Sequence, residues 1–158
     1  MRRYSVPYQG TIANAGGDTD LFEILPADDK PVKLFGLKLG QISEVGDAAE
    51  EGLRISIIRM TATVTSGSGG SSVTPVPEDT ADAAAGFTAE ANNTTIATTS
   101  GATTVLEEIG WNIRSSPTEF VWSDKNYKIK QGEALLVRLQ TTVADDLTGL
   151  FTLDVGEE

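Results

Sequence analysis

Three turn-like segments of the sequence carry neighbouring carboxylates, which are side chains suited to binding calcium. They are residues 18–20, 28–29 and 145–146 (DTD, DD and DD). Calcium takes about six to eight oxygen ligands, and the spacing of an EF-hand loop is absent. Aspartate also favours turns through hydrogen bonds to its own backbone. The sequence therefore predicts acidic turns and no metal site.

A further acidic pair, Glu107 and Glu108, has the residue types of a glycosidase without the required geometry. Glycosidases hold two carboxylates about 5 to 9 Å apart across the sugar, whereas neighbouring residues on a strand point to opposite faces. The chain also has no histidine and no cysteine. This removes the commonest general base, the cysteine nucleophile and most zinc sites. We therefore predict that the protein is not an enzyme and has no cofactor.

The glycine-rich stretch 67–70 (GSGG) could cradle a phosphate group through its backbone N–H groups. A phosphate loop, however, has the pattern GxxxxGK[ST] between a strand and a helix, and no lysine follows this stretch. The stretch is instead typical of a flexible surface tip.

Four aromatic residues, Trp111, Phe120, Trp122 and Tyr127, lie close together in the sequence. Exposed aromatic rings on a β-domain could stack on sugars, but large aromatic side chains more often fill a core or an interface. Trp111 shares the apparent inward face of its strand and is predicted to be buried. Trp122 and Tyr127 are the candidate surface aromatics of a lectin-like alternative function.

Apolar residues recur at every second position in five segments, which is the pattern of half-buried β-strands. The alternation blurs at Ile57 and Ile58, which indicates a bulge or a strand buried on both faces. The best short helix candidates are residues 45–51 and 77–85. The alternating residues are Phe35, Leu37 and Leu39; Leu53, Ile55 and Ile57; Val105, Ile109, Trp111 and Ile113; Leu135, Val137 and Leu139; and Phe151, Leu153 and Val155.

Seven or eight short strands separated by turn residues predict an all-β, two-layer β-sandwich that spans residues 1–158 as a single domain. A jelly roll is the favoured arrangement of the strands, and a flattened barrel is the main rival.

The middle of the chain, residues 66–104, is rich in Gly, Ser, Thr, Ala and Asn. A structureless loop of this length is uncommon in a compact domain unless it is functional or disordered. We predict either an ordered assembly arm that packs on a neighbouring molecule or a mobile surface loop. The candidate contact residues of the arm are Val73, Pro75, Val76, Pro77 and Phe87.

The formal net charge of −11 makes nucleic acid and anionic membranes poor partners. No apolar run approaches the roughly 20 residues that cross a bilayer. Two arginines near the start are not followed by the apolar segment of a signal peptide. We therefore expect neither a nucleic acid nor a membrane as a partner.

Four stretches together span most of the chain and carry a likeness to known proteins. They are residues 27–34 (ADDKPVKL), 40–51 (GQISEVGDAAEE), 66–77 with 83–87 (SGSGGSSVTPVP and AAAGF), and 136–139 with 144–147 (LVRL and ADDL). In these stretches the chain resembles a family of small virion-associated proteins of tailed bacteriophages and prophages, usually taken for head decoration or cement proteins.

The resemblance implies a non-enzymatic structural protein that decorates or cements the capsid surface through protein–protein contacts. It implies the major capsid protein or other virion proteins as partners, and a homo-oligomer with a trimer favoured. The implied location is the capsid exterior, after synthesis in the host bacterial cytoplasm. The alternative is a carbohydrate-binding module on a virion or tail that uses Trp122 or Tyr127.

Overall fold

The computed structural model of the protein describes residues 1–44, 46 and 50–158. Within these residues the chain forms fourteen β-strands and one short 3₁₀ turn at Ile113–Ser115. No helix among them is long and apolar enough to cross a membrane. The strands are β1 (Arg2–Ile12), β2 (Thr19–Leu25), β3 (Val32–Gln41), β4 (Gly52–Met60), β5 (Val64–Thr65), β6 (Ser71–Val73), β7 (Val76–Pro77), β8 (Thr88–Asn93), β9 (Thr98–Thr99), β10 (Thr103–Asn112), β11 (Thr118–Val121), β12 (Lys128–Ile129), β13 (Ala134–Leu139) and β14 (Leu147–Glu157).

The two predicted helices have different outcomes. The candidate at residues 45–51 lies largely outside the described residues. The candidate at residues 77–85 is wrong, because this segment forms the end of β7, a turn and irregular backbone. The side chain of Asp79 accepts a hydrogen bond from the backbone N–H of Ala81 at 2.9 Å. Such local bonding offers the backbone an alternative to a helix.

The long strands build two antiparallel six-stranded sheets, and β5 and β9 form a separate small pair. The first sheet has the order β11-β3-β14-β1-β7, with β12 pairing along the other half of β3. The second sheet has the order β10-β4-β13-β2-β8-β6. The all-β fold predicted from the alternating pattern is confirmed in this form, consistent with a two-layer sandwich.

The core contains the apolar side chains that the two sheets direct toward each other. Leu37, Leu53, Ile55 and Leu153 are completely or almost completely buried in it. Trp111, predicted to be buried, is 1% exposed and meets Phe151 edge to face at 6.0 Å between ring centroids. Alternating apolar residues form strands here because one face of each strand can leave water while the other stays solvated.

A β-bulge in β3 corrects the predicted orientation of Phe35. Gly36 pairs with Asp154 and Leu34 pairs with Val155, so Phe35 is an extra residue between two ladder pairs. Leu34 and Leu37 are buried in the core, and Phe35 lies on the outer surface. The guanidinium carbon of Arg3 lies 3.7 Å from the centroid of its ring. A bulge reverses the inward-outward alternation on one side of it, and the sequence pattern did not reveal this reversal.

The bulge predicts different costs for two neighbouring truncations. Leu37→Ala should lower the free energy of unfolding by about 2 to 5 kcal/mol, because it opens a cavity in the core. Phe35→Ala should cost only about 1 kcal/mol, near the value of the lost contact with Arg3. Urea denaturation of both variants checks the difference. Equal losses would place Phe35 in the core and contradict the bulge.

A second bulge, at Leu106 in β10, corrects the predicted face of Val105. Val105 pairs with Ile58 and Glu107 pairs with Ile57, which leaves Leu106 unpaired in the ladder. Leu106 therefore packs against the core, and Val105 is 46% exposed on the outer face.

The excursion, residues 66–104, is ordered and folds back on its own chain. Its strand β8 pairs with β2 and its strand β6 pairs with β8, so both extend the second sheet. Its strand β7 pairs with β1 and extends the first sheet. The excursion thereby closes one side of the sandwich.

The excursion and the β5–β9 pair also cover part of the outer face of the second sheet. Ile58, Met60 and Leu136 form a second buried apolar cluster there with Ala97 of the excursion. The blurred alternation at Ile57 and Ile58 therefore reflects a strand buried on both faces, which was one of the two predicted explanations.

A buried ion pair fixes the excursion to this face. Arg138 donates to Asp20 through Nε–Oδ1 and Nη2–Oδ2 contacts of 2.6 and 3.2 Å. The pair also binds the backbone of Ala97 from both sides. The N–H of Ala97 donates to Asp20 at 2.8 Å, and its carbonyl oxygen accepts from Arg138 at 3.1 Å. Charges this deeply buried are stable only when they are paired and hydrogen-bonded.

The glycine-rich tip is held by a second buried carboxylate. The N–H of Gly67 donates to Glu23 at 2.9 Å, and the N–H of Gly70 donates to the side-chain oxygen of Asn93 at 3.2 Å. A Cβ at Gly70 would lie 2.1 Å from the carbonyl oxygen of Ala91, so only glycine permits this approach. These N–H groups, considered above for a phosphate, bond to side chains of the protein itself.

Candidate protein-binding face

The two outer faces of the sandwich differ. The second sheet is partly covered by the excursion, whereas the outer face of the first sheet carries solvent-exposed side chains on all its long strands. We call this surface the open face. In antiparallel strands, residues directly opposite each other share a face, so the register gives its rows. The rows are Lys128, Lys33, Gly156 and Arg3; Val121, Gly36, Asp154, Ser5 and Val76; Glu119, Lys38, Thr152 and Pro7; and Gly40, Leu150 and Gln9.

The open face collects most of the exposed large apolar side chains. The described residues include six of them, and Val121, Val76 and Leu150 stand in its rows with 67, 50 and 40% exposure. Ile42 borders it through a backbone hydrogen bond to Thr148, and Met1 lies over Gly156. The sixth, Val105, lies elsewhere. Clustered exposed apolar groups mark interaction sites, whereas scattered ones need no explanation.

The charge of the open face also differs from that of the whole chain. Its rows contain four basic side chains and two acidic ones, a net charge of +2 in a chain of net charge −11. Lys38 and Glu119 form an ion pair at 3.5 Å. The acidic surplus therefore lies on other surfaces. The exposed apolar groups of the open face suit the centre of a protein–protein interface, and its charged groups suit the polar rim.

A groove of about 840 Å³ runs along one end of the open face. Its apolar lining includes Pro7, Leu150 and Pro117, and Lys38 and Gln9 are polar groups at its sides. Gly40 belongs to its lining but is itself buried, and the hydroxyl oxygen of Ser116 lies 3.3 Å from where a Cβ of Gly40 would stand. The groove can accept an apolar side chain from a partner.

The candidate contact residues of the arm are spread over different environments. Val73 is partly buried in β6, and Val76 and Pro77 form β7. Pro75 is partly accessible and lies between these strands, outside both. Phe87 is 3% exposed and meets Tyr4 edge to face at 5.5 Å, so it belongs to the core and is not available to a partner. Of these residues, Val76 is the one that presents a large exposed apolar surface on the open face.

The candidate surface aromatics come together, but Trp122 is not at the surface. Its side chain is only 6% exposed. It stacks on Phe120 at 6.1 Å between centroids and contacts Tyr127 at 6.3 Å. Hydrophobic packing between the strand ends buries the ring, and this burial corrects the prediction of an exposed tryptophan. Little of the indole remains available for stacking on a sugar.

Tyr127 is partly buried, and its hydroxyl donates a 2.6 Å hydrogen bond to Glu107. This bond, with a smaller effect of burial, raises the pKa of Tyr127 above its ordinary value of 10.0. A raised pKa in the folded state means that the neutral hydroxyl contributes stability below about pH 10. This contribution is lost as the pH rises through the folded-state pKa.

We therefore expect the melting temperature of the protein to fall above about pH 10, and to fall less in Tyr127→Phe. Burial, followed by the charge of Glu157, also raises the pKa of Tyr4, so some alkaline loss should remain in the variant. Thermal melts between about pH 9 and pH 11 test this. Identical pH profiles would show that the bond to Glu107 has no effect on stability.

Four of the carboxylates considered for catalysis or calcium have structural partners. Glu107 and Glu108 diverge as predicted, since Glu107 bonds to Tyr127 and Glu108 pairs with Arg54 at 2.9 Å. The pKa of Glu108 is lowered by the hydrogen bond from Arg54. Asp20 is part of the buried ion pair, and Asp146 accepts a hydrogen bond from the N–H of Asn14. In the described part of the chain, no three Asp or Glu residues gather as a metal site.

Leu150 and Val121 are exposed residues of the open face that were not predicted from the sequence as contact residues. Leu150 precedes the alternating inward residues Phe151 and Leu153, so the same pattern assigns it to the outward side of β14. An apolar residue at an outward position of a strand could therefore have identified Leu150 as a candidate contact residue. Val121 offered no such indication, because its strand is too short to show a period.

Comparison with protein-family models, with curated proteins and with solved structures finds no match to this chain.

Proposed function

We propose that the protein is a non-enzymatic structural protein of a bacteriophage virion that decorates or cements the capsid surface through protein–protein contacts. The open face carries this proposal: five of the six exposed large apolar side chains in the described residues lie on or beside it. The major capsid protein or another virion protein is the proposed partner. The virion itself comes from the resemblance, and binding through protein contacts is supported by this surface.

We also propose that the sandwich is a jelly roll, in which eight strands form one long hairpin wrapped into two sheets. Omitting β5 to β9 and β12, the remaining eight strands pair from the outside inward. β1 pairs with β14 and β2 pairs with β13. β3 pairs with β11 and β4 pairs with β10. This nested pairing supports the jelly roll over a flattened barrel, and it suits a rigid domain that has to hold a flat binding face.

The physical properties suit a shell protein. The acidic charge away from the open face gives mutual repulsion and solubility to copies held at high local density. The ordered excursion, fixed by the buried Asp20–Arg138 pair, removes a long mobile loop from the outer surface.

Quantitative mass spectrometry of purified particles of the encoding phage tests the proposal. The protein should be present in a fixed ratio to the major capsid protein. Particles that lack it should bind the purified protein in co-sedimentation and bind Leu150→Arg at least tenfold more weakly. Val105→Arg is the matched control, since Val105 is similarly exposed but lies off the open face. Absence of the protein from complete particles would rule out a virion role.

A further inference from the structure

Deepening the proposed function, on which this step rests, we propose that Arg3 and Lys33 form a binding site for a carboxylate side chain of the partner protein. We call these two residues the cation pair. They share one row of the open face, because Arg3 is paired with Gly156 and Gly156 is paired with Lys33. This row lies at the opposite end of the open face from the groove. The site therefore has the position of the polar rim of an interface.

One aromatic ring holds both members of the cation pair. The guanidinium carbon of Arg3 lies 3.7 Å from the ring centroid of Phe35, and Nζ of Lys33 lies 5.1 Å from it. The ring occupies the space over Gly156, where a Cβ would lie 2.7 Å from its Cε2 atom. Stacking on a ring uses the flat face of a guanidinium, whereas its N–H edge is the part that binds a carboxylate through two parallel hydrogen bonds. The geometry thus positions two positive charges for an anion from outside.

The cation pair has no acidic partner in the part of the chain that the structure describes, although acidic groups are in surplus. The chain contains 23 acidic and 12 basic side chains. Ion pairs among the described residues include eight of the basic ones, but neither Arg3 nor Lys33. Nε of Arg3 is also buried without a hydrogen-bond partner. Two neighbouring like charges without partners, in a chain with acidic groups to spare, indicate that their partner belongs to another molecule.

The acidic side chains of this region have other environments. Glu157 is 2% exposed. Glu158 forms an ion pair with Lys128, which neutralises the third basic side chain of the same row. Asp154, in the next row, accepts a hydrogen bond from the hydroxyl of Ser5 at 3.3 Å. The positive charge at this end of the open face is therefore concentrated at the cation pair.

The small extent of this charge identifies the kind of partner. A nucleic acid or an anionic membrane presents phosphates over a wide area, which a chain of net charge −11 repels. A single acidic side chain of a folded protein needs only the area that the cation pair offers. Charges at the rim of an interface steer association and fix orientation. The cation pair thus sets the orientation in which the open face meets its partner, and the exposed apolar residues supply the contact.

Co-sedimentation of Lys33→Glu with particles that lack the protein tests the site. At low ionic strength this variant should bind about tenfold more weakly than wild type. Raising the salt to about 0.5 M should narrow the difference, because salt screens exposed charges. The matched control is Lys130→Glu, which should bind like wild type. Lys130 is also exposed and outside the ion pairs of the described residues, but it lies beside the second sheet, in a cavity with Leu25 and Thr63.

Further variants separate the guanidinium from its charge and from the fold. Arg3→Lys should recover only part of the binding lost in Arg3→Gln, because an ammonium group lacks the planar fork. The melting temperature of Lys33→Glu should not fall, since the new carboxylate would stand between Lys128 and Arg3 in the row. A fall would show that Lys33 has a partner within the fold, against the proposal.

A titration with tetraglutamate, followed by NMR, tests the cation pair without particles. The signals of Arg3 and Lys33 should shift, and that of Lys130 should stay in place. Shifts of equal size at Lys130, or no shift at the cation pair, would overturn the site. Particle binding that is unchanged in Lys33→Glu would also overturn it and would keep the proposed function. A wild type that binds tetraglutamate at the cation pair but binds no particles would keep the carboxylate site and remove the proposed partner.

Discussion

Replacing Arg138 by methionine is expected to lower the free energy of unfolding by about 3 to 5 kcal/mol, because the charge of Asp20 would stay buried without its partner. Asp20 is completely buried and Arg138 is 7% exposed. Arg138 also donates to the carbonyl oxygen of Ala97, which would lose that bond. Urea denaturation measures the loss. Hydrogen exchange should locate it, with faster exchange around Ala97.

The control for this variant is Arg54→Met, which breaks the ion pair with Glu108 on the exposed surface. Exposed pairs contribute little because water already solvates both charges, so this variant should remain close to wild type. If Arg138→Met and Arg54→Met behaved alike, the ion pair of Arg138 would not be buried as described.

A double variant separates the ion pair from its role in holding the excursion. Asp20→Leu/Arg138→Met removes both charges, and such apolar replacements of buried pairs are often neutral. Here recovery should be incomplete, because the N–H of Ala97 loses its acceptor and its carbonyl oxygen loses its donor. The shortfall relative to wild type measures how much the pair contributes by binding the excursion backbone.

The fold class could be predicted because the sheets follow the period-two rule over most of their length. Leu53, Ile55 and Ile57 of β4 and Phe151, Leu153 and Val155 of β14 were assigned correctly to the inward face from alternation. The errors fall at Phe35 and Val105, each next to a one-residue bulge. A bulge reverses the alternation without any marker in composition, so the period alone could not show which residues turn outward.

The ordered excursion was harder to predict because its anchors lie far apart in the sequence. Asp20 and Arg138 are 118 positions apart, and neither is unusual for its own strand. The apolar residues that lie under the excursion gave a partial indication in the sequence that the excursion is ordered. Ile58 and Leu136 extend apolar runs beyond alternation, which fitted either a bulge or a covered outer face and did not indicate what covers that face. The open face could not be predicted from the sequence. Its exposed apolar residues are isolated in the sequence, and they form a patch only because the strand register places them side by side.

Replacing Trp122 by alanine should cost about 3 to 5 kcal/mol of stability, the usual loss for a buried tryptophan. The indole is 6% exposed and packs on Phe120 and Tyr127. Its backbone N–H also donates to the carbonyl oxygen of Phe35 at 2.7 Å, which ties the segment after β11 to β3. Trp122→Phe should recover most of the loss, because an aromatic ring still fills the space.

This pair of variants separates the structural role of Trp122 from the carbohydrate-binding alternative. If the ring stacked on a sugar, Trp122→Ala would abolish glycan binding on an array and leave the urea midpoint nearly unchanged. If the ring fills the core, the midpoint should fall steeply in Trp122→Ala and only slightly in Trp122→Phe, with no glycan bound by the wild type. Burial favours the second result, since stacking needs a ring face that water can reach. The aromatic cluster then serves to hold β11 at the edge of the first sheet, where Val121 projects from the open face.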